Sequence, residues 1–456
     1  MNRCDLLVTG GDVLDLAAPG SWLEDHAVAV IGDRIAEVAP RSEMAGRWNA
    51  ARSIDAVGCV VAPGFIDAHV HLSAFLMTPL HHERAPGPSM FGGGAPPEEL
   101  MALVAEMTSM TLPAEVTAAV LRPVFAALLA SGVTSVVDAG SSGLDGIVQA
   151  ATETGIRLAT GPSLADHWHR EGQFGPRADP HKLLDQAADF IDAHDMSANG
   201  RIRAVVSAVE VTACSDELLT GIARLASEHD TATHVHCLID EKSDDLHRNL
   251  HGVAAIDRLV TTGLLSSRCV AMHAGYVDDH AVEVLSDARA TVNHNPLGNM
   301  MLGWNTMRHR AVPRLLSAGV PVVLGSDYSP SMIASPFESM HAALMANREA
   351  GGRDDVLRIE DVVAMATNSG APMGRPGQLG QLRAGQLADL VVCDTSGPHH
   401  LGSRHPIPAI GLRGRTSDLR VVIVNGNVVV DAGVVTTIDI QAAVREATAV
   451  LQTMAG

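Results

Sequence analysis

Hydrophobic and polar positions follow two rhythms along this chain. Near the start, DLLVTGGDVLDL and HAVAVIGDRIAEVAP read as short strands with Gly-Asp pairs supplying tight turns. ADLVVCD and LRVVIVNGNVVVDAG repeat that style near the end, with Asn425-Gly426 set between β-branched runs as a hairpin turn. The two ends are expected to pair into one β-sandwich domain, residues 1–60 with 381–440. Between them, apolar strand-like runs alternate with amphipathic helices: GFIDAHVHL, VTSVVDAG, RLATGPSL, RAVVSAVEV, ATHVHC, RCVAMHAG, ATVNHNP and VPVVLGSDYS. Eight such βα units predict an α/β fold, a (β/α)8 TIM-like barrel over residues 61–380.

Helix starts are marked by Ser215 before DELLTGIARLA, and by Ser335-Pro336-Phe337-Glu338, which combines an N-cap, Pro at the first helical position and a capping-box Glu. Residues 441–456 read as a C-terminal amphipathic helix. Two long Gly/Pro-rich stretches, 74–98 and 165–181, follow strand ends and are expected to be active-site loops.

Of the 456 residues, 32 are basic and 52 acidic, a net charge of −20 that disfavours nucleic acid and anionic membrane as partners. The six cysteines are scattered without a CxxC pair, and Asp5 interrupts the position a signal peptide would need apolar. A cytoplasmic protein with reduced thiols is expected. A small-molecule substrate and a homodimer or higher homo-oligomer complete that expectation. Twenty-two histidines stand against two lysines, Lys182 and Lys242, which directs attention to metal ligands.

His69 and His71 are two apart, so a strand places both on one face. An HxH alone also fits two polar residues at a strand end. His236, however, ends the fifth strand candidate, His273 the sixth and Asp327 the eighth, where a barrel's strands open onto its catalytic face. His81-His82 and His167-Trp168-His169 lie on the long loops, either to grip substrate or simply solvated. Trp304 and the 18 methionines fit core or pocket walls. Glu210, in the fourth strand candidate, fits a metal bridge or a hydrogen-bonded structural carboxylate.

VVAPGFIDAHVHL, THVHC, VAMHAGYVDDHAVEVL, NHNPLGN, VPVVLGSD, GQLRAGQLADLVVCD and VVIVNGNVVV together resemble the amidohydrolase superfamily over nearly the whole chain, within its branch of cytosine, guanine and adenosine-type deaminases and triazine hydrolases. The resemblance implies that His69, His71, His236 and Asp327 bind one divalent metal, zinc first and iron second. It makes His273 and Asp327 the catalytic pair, His273 orienting water or substrate and Asp327 accepting the water's proton. It also sets His294 and Asn295 at the pocket, although a polar turn before Pro296 fits them equally. Binuclear relatives use a carboxylated lysine at the fourth strand's end, and neither Lys182 nor Lys242 lies there, so one metal is expected.

Imidazole and carboxylate ligands suit a cation that lowers the pKa of water toward neutrality. The implied reaction is hydrolysis of a carbon-nitrogen bond in a small, heterocyclic nitrogen compound. Two alternatives stay open: a triazine dechlorinase or carbamate hydrolase, and a non-catalytic scaffold of the same fold. One departure matters. Deaminases of this branch carry Glu three residues after the fifth-strand His, and Ile239 stands there, followed by Asp240 and Glu241.

Overall fold

A computed structural model describes residues 1–76, 96–108, 111–327, 335–368 and 370–455. His81, His82 and most of the stretch 74–98 fall outside the described residues. Eight parallel strand positions follow one another in chain order, as the alternation predicts. The first is Phe65–Val70, the second Val133–Asp138, the fifth Thr233–Cys237, the sixth Cys269–His273, the seventh Thr291–His294 and the eighth Val322–Leu324. The third and fourth are each split, into Arg157–Thr160 with Ser163–Leu164, and Ile202–Ala204 with Val206–Ala208.

That split has a local cause. Pro162 has no amide hydrogen for a ladder, and a Cβ on Gly161 would lie 2.0 Å from the Val205 carbonyl oxygen. Hydrogen bonding therefore passes from the early halves, where Leu158 pairs with Ile202, to the late halves, where Ser207 pairs with Ser163. Past the break the ladder continues through the fifth to the eighth strand. At its far end Asp327 forms a parallel bridge with Val70, and its amide donates to the His69 carbonyl at 2.7 Å.

Side chains alternate across this array as the period of two requires. Val235 and Cys237 pack into the large core with the helices, while His234 and His236 take the opposite face. Ser215 caps Asp216–Glu228 by accepting from the Leu218 amide at 3.1 Å, and the full capping box of Ser335 and Glu338 opens Pro336–Gly351. The final helix runs Ile440–Ala455. Among the described residues no helix is long and apolar enough to cross a membrane.

Strands from both chain ends join in one hydrogen-bonded sheet of nine strands, eight along one path and Trp48–Asp55 pairing off it with Asn2–Val13. Cys59–Pro63 lies at its junction, parallel to Asn2–Val13 on one side and antiparallel to Leu390–Asp394 on the other. Leu6, Val28 and Ile54 from the first part share one buried cluster with Leu390, Val421 and Ile423 from the last. The Gly32-Asp33 pair makes the expected turn between Leu23–Ile31 and Arg34–Pro40. Gly11-Asp12 does not: the strand runs through it, and the register shift beside Gly10, at φ +90°, is a bulge. Arg157, fully buried, ties the array to this sheet through a two-pronged bond to Asp389 at 2.7 and 2.8 Å and a third to Asn425 at 2.9 Å.

Candidate functional site

The strand registers bring the singled-out residues to one end of the array. His236 sits beside Met272 and Cys237 beside His273, while the bridge sets Asp327 next to Val70, between His69 and His71 in sequence. Ligand atoms of His69, His71 and Asp327 lie within 4.8 Å of one another, as do those of His69, His236 and His273. His69 Nε2 is 3.2 Å from Asp327 Oδ1, off the line a hydrogen bond needs, and His71 Nε2 is 3.6 Å from the same oxygen. Both His69 nitrogens, His236 Nδ1 and Asp327 Oδ2 are buried without a hydrogen-bond partner. Unpartnered polar atoms on His69, His236 and Asp327, in two overlapping triads that share His69, fit a cation, since each otherwise carries a desolvation penalty of about 1–3 kcal/mol. His71 Nδ1 lies 3.3 Å from the Gly140 carbonyl, which accepts a hydrogen bond from Nδ1–H and leaves Nε2 free to bind.

The electrostatics follow from burial. Desolvation pushes the His69 imidazole down to about 3 and His236 well below its ordinary value. Burial alone would raise the Asp327 carboxyl, but His273, His69 and His71 around it outweigh that and hold it well below the usual carboxylate range. Neutral imidazoles facing an ionised carboxylate are the protonation states a metal requires. His273, lowered by burial with Asp327 opposing, lies 5.0 Å from His69 and 5.2 Å from Trp304, ring centre to ring centre. Asn295 Nδ2 is 3.4 Å from His273 Nδ1. His273 and Asp327 both hold left-handed backbone, at φ 73° and 65°, which costs a non-glycine residue roughly 1–2 kcal/mol.

A pocket opens over this cluster. His71, His236, His273 and Asp327 line it with Glu210, and Met101, Val104, Val209, Ile239, Leu302 and Trp304 make it largely apolar. Glu210 and Asp327 are the carboxylates among its described lining residues. Burial raises the Glu210 carboxyl to about 7 against hydrogen bonds from Thr212, whose amide donates to Glu210 Oε2 at 2.5 Å.

Other candidates lie elsewhere. His294 faces Asn347, with 3.4 Å between His294 Nε2 and Asn347 Nδ2. His167 and His169 stand on a hairpin, Trp168 pairing with Gly175, and His167 borders a separate hollow with Phe174 and Arg258. His234 shares the face of His236 but contacts the Pro372 carbonyl at 3.0 Å. Asp240 caps the next helix through Ser243, and Glu241 pairs with Arg308 at 3.1 Å, so Ile239 alone of the three borders the pocket. His399, His400 and Asp418 form another cluster, but there each Nε2 already sits 3.0 Å from an Asp418 oxygen.

Two contributors escape the sequence reading. Asp67, two residues before His69, accepts from the Ser326 amide at 2.9 Å and hydroxyl at 2.6 Å, and so fixes the turn that carries Asp327. Burial raises this carboxyl to about 6. Its signal was the Asp two places before the HxH pair. Gly298, in Pro296–Met301, packs on Asp327 so closely that a Cβ would lie 2.6 Å from the Asp327 Cβ. A glycine in NHNPLGN carries no mark of that contact in the sequence.

Known proteins share this frame. A 5-methylthioadenosine/S-adenosylhomocysteine deaminase of Syntrophobacter fumaroxidans is 28% identical over 440 residues, covering 94% of each chain. A 5'-deoxyadenosine deaminase of Methanosarcina acetivorans is 26% identical, over 97% of this chain and 96% of its own. Among solved structures, an adenosine deaminase from Xanthomonas campestris with bound zinc superposes at a TM-score of 0.85, with 20% identity and 99% of each chain covered. Atrazine chlorohydrolase from Arthrobacter aurescens, complexed with zinc, superposes at 0.84 with 23% identity, over 98% of this chain and 100% of its own. The amidohydrolase family pattern matches residues 60–429, which contain every member of the His and Asp cluster. With that match spanning most of the sequence, the chain belongs to the amidohydrolase family and is a hydrolase of carbon-nitrogen bonds.

Proposed function

We propose that this chain is an aminohydrolase of an adenosine-derived compound, releasing ammonia from the ring, with one divalent metal held by His69, His71, His236 and Asp327. The observation that carries the metal assignment is that two triads, His69 with His71 and Asp327 and His69 with His236 and His273, share His69 and hold unpartnered buried atoms of His69, His236 and Asp327. Zinc is the first choice and iron the second, because nitrogen and oxygen donors accept both. A cation bound there supplies Lewis acidity that makes water a nucleophile at neutral pH.

The chain's own residues do the rest. Asp327, kept ionised, takes the proton of the attacking water. His273, buried and placed by Asn295, hydrogen-bonds the oxygen as charge develops on it. The apolar walls around Trp304 exclude bulk water and accept the flat face of a heterocycle. The names of the full-length relatives support an adenosine-type ring.

In architecture, the returning ladder and the Val70–Asp327 bridge support a closed (β/α)8 barrel over 61–380. The shared cluster of both ends supports a sandwich of 1–60 with 381–440.

The test is ammonia release from adenosine, 5'-deoxyadenosine, 5'-methylthioadenosine and S-adenosylhomocysteine, with a chlorinated triazine alongside. Turnover of at least one adenosine compound, abolished by chelation and restored by zinc or iron, is expected. Chloride release from the triazine with no ammonia from any of the four would favour the second reading, dechlorination. Ile239 is the observation behind that reading, since a halide leaves without a proton.

A further inference from the structure

We infer that Glu210 is the proton donor to the substrate ring, at the end of the strand that neighbours the one leading to Ile239, and so stands in for the acid missing at 239. The inference rests on the aminohydrolase reading above. Replacing a ring amine by oxygen requires an acid for the ring nitrogen. Ile239 cannot supply one, and Asp240 and Glu241 are engaged with Ser243 and Arg308. Asp327, the remaining carboxylate of the described lining, is committed to the water.

Glu210 meets the requirements. It follows the fourth strand, whose Ala208 pairs with Val235, so it stands one step beyond the level of His236. It is 5% exposed and borders the pocket beside Val209 and Ile239. A carboxyl largely removed from water retains its proton more readily, as the upward shift described above reflects. The contact with the Thr212 amide holds one oxygen and fixes the group's direction. Behind it, the Thr212 hydroxyl lies 2.8 Å from His247 Nδ1, which anchors Thr212 in turn.

The step balances as follows. Water oxygen bonds to the ring carbon that bears the amine while Asp327 takes one water proton. The carbon-nitrogen π pair moves to the ring nitrogen, which takes the Glu210 proton. On collapse, the amine takes the proton from Asp327 and leaves as ammonia with the bonding pair. The remaining hydroxyl proton returns to Glu210, leaving a ring carbonyl and a ring N–H.

A turn-capping role for Glu210 is separable, because glutamine also accepts from the Thr212 amide. Glu210→Gln should therefore keep its fold and metal content yet lose 10²- to 10⁴-fold in kcat on whichever substrate the unaltered enzyme turns over fastest. Adding Ile239→Glu to that variant should recover at least about tenfold by restoring an acid to the pocket lining from position 239. Glu210→Asp, which keeps the acid but withdraws it by one methylene, should lose at least about tenfold and serves if the glutamine variant does not fold. Wild-type kcat in either single variant overturns the assignment, as does loss of metal from Glu210→Gln, which would make Glu210 a ligand. Activity of the unaltered enzyme on the adenosine panel judges the substrate reading, and the ratio of variant to parent judges Glu210.

Discussion

Gly298→Ala probes the site without replacing any group that reacts. The new methyl would start 2.6 Å from the Asp327 Cβ and 2.8 Å from Oδ2. Carbon atoms settle near 3.5–4.0 Å, so about 1 Å of separation must open between Pro296–Met301 and the end of the eighth strand. Overpacking of this kind costs about 1–3 kcal/mol, and the helical preference of alanine over glycine returns roughly 0.5–1 kcal/mol. The stability loss is therefore small, on the order of 1–2 kcal/mol. A 1 Å displacement of a group that handles the proton should lower kcat/KM by about 10². Urea denaturation, metal content per chain and steady-state kinetics separate the two effects. Gly175→Ala is the control, since no atom lies within 4 Å of its added methyl. A Gly298→Ala enzyme with full metal and unchanged kcat/KM would refute the contact as the determinant of where Asp327 sits.

Three further outcomes are expected. His69→Ala and His236→Ala should lose the metal, His273→Ala should keep it and lose chiefly rate, and Asp327→Asn should damage both, as elemental analysis beside kinetics would reveal; a His273→Ala enzyme of wild-type rate would make that residue structural. Asp240→Asn and Glu241→Gln should each lower the rate less than about tenfold, because their side chains serve Ser243 and Arg308, and a larger loss with metal intact would return the acid role to them. The metal-free protein should lose stability in denaturant titrations as pH falls from about 6.5 toward 4. In that window His69, His234, His247 and His294 bind protons when unfolded but stay neutral when folded, outweighing Asp67 and Glu210, which act in the opposite sense. A midpoint that rises on acidification would contradict this.

What was legible in the sequence was whatever repeats with a fixed period. Alternation within THVHC and the two-residue spacing of His69 and His71 announced strands, and ligand-type residues at strand ends announced where the chemistry lies. Sequence-local caps at Ser215 and Ser335 were equally readable, since donor and acceptor lie three residues apart. Contacts between distant segments were not. No period in RLATGPSL reveals that Gly161 touches Val205, and none marks Gly298 against Asp327. His294 shows the converse: it too stands near a strand end, but the registers set Asn293 level with His236, so His294 falls one residue out of step and its side chain meets Asn347. The Gly11-Asp12 pair read as a turn because the same dipeptide serves a turn at Gly32-Asp33, and only the neighbouring strand decides between turn and bulge.

The nine-stranded sheet joining both ends of the chain also sets a schedule for synthesis. Cys59–Pro63 leaves the ribosome about 330 residues ahead of its partner Leu390–Asp394, a delay of roughly 15–65 s at 5–20 residues per second. Throughout that interval the early strands present an unpaired edge and the apolar side chains that will later meet Val421 and Ile423. The parallel units can condense as they emerge, whereas the sheet must wait for the last seventy or so residues. A holdase acting on the nascent chain should therefore bind its first sixty residues for longest, and a circular permutant that joins the two ends and opens the chain elsewhere should reach its native state with less aggregation.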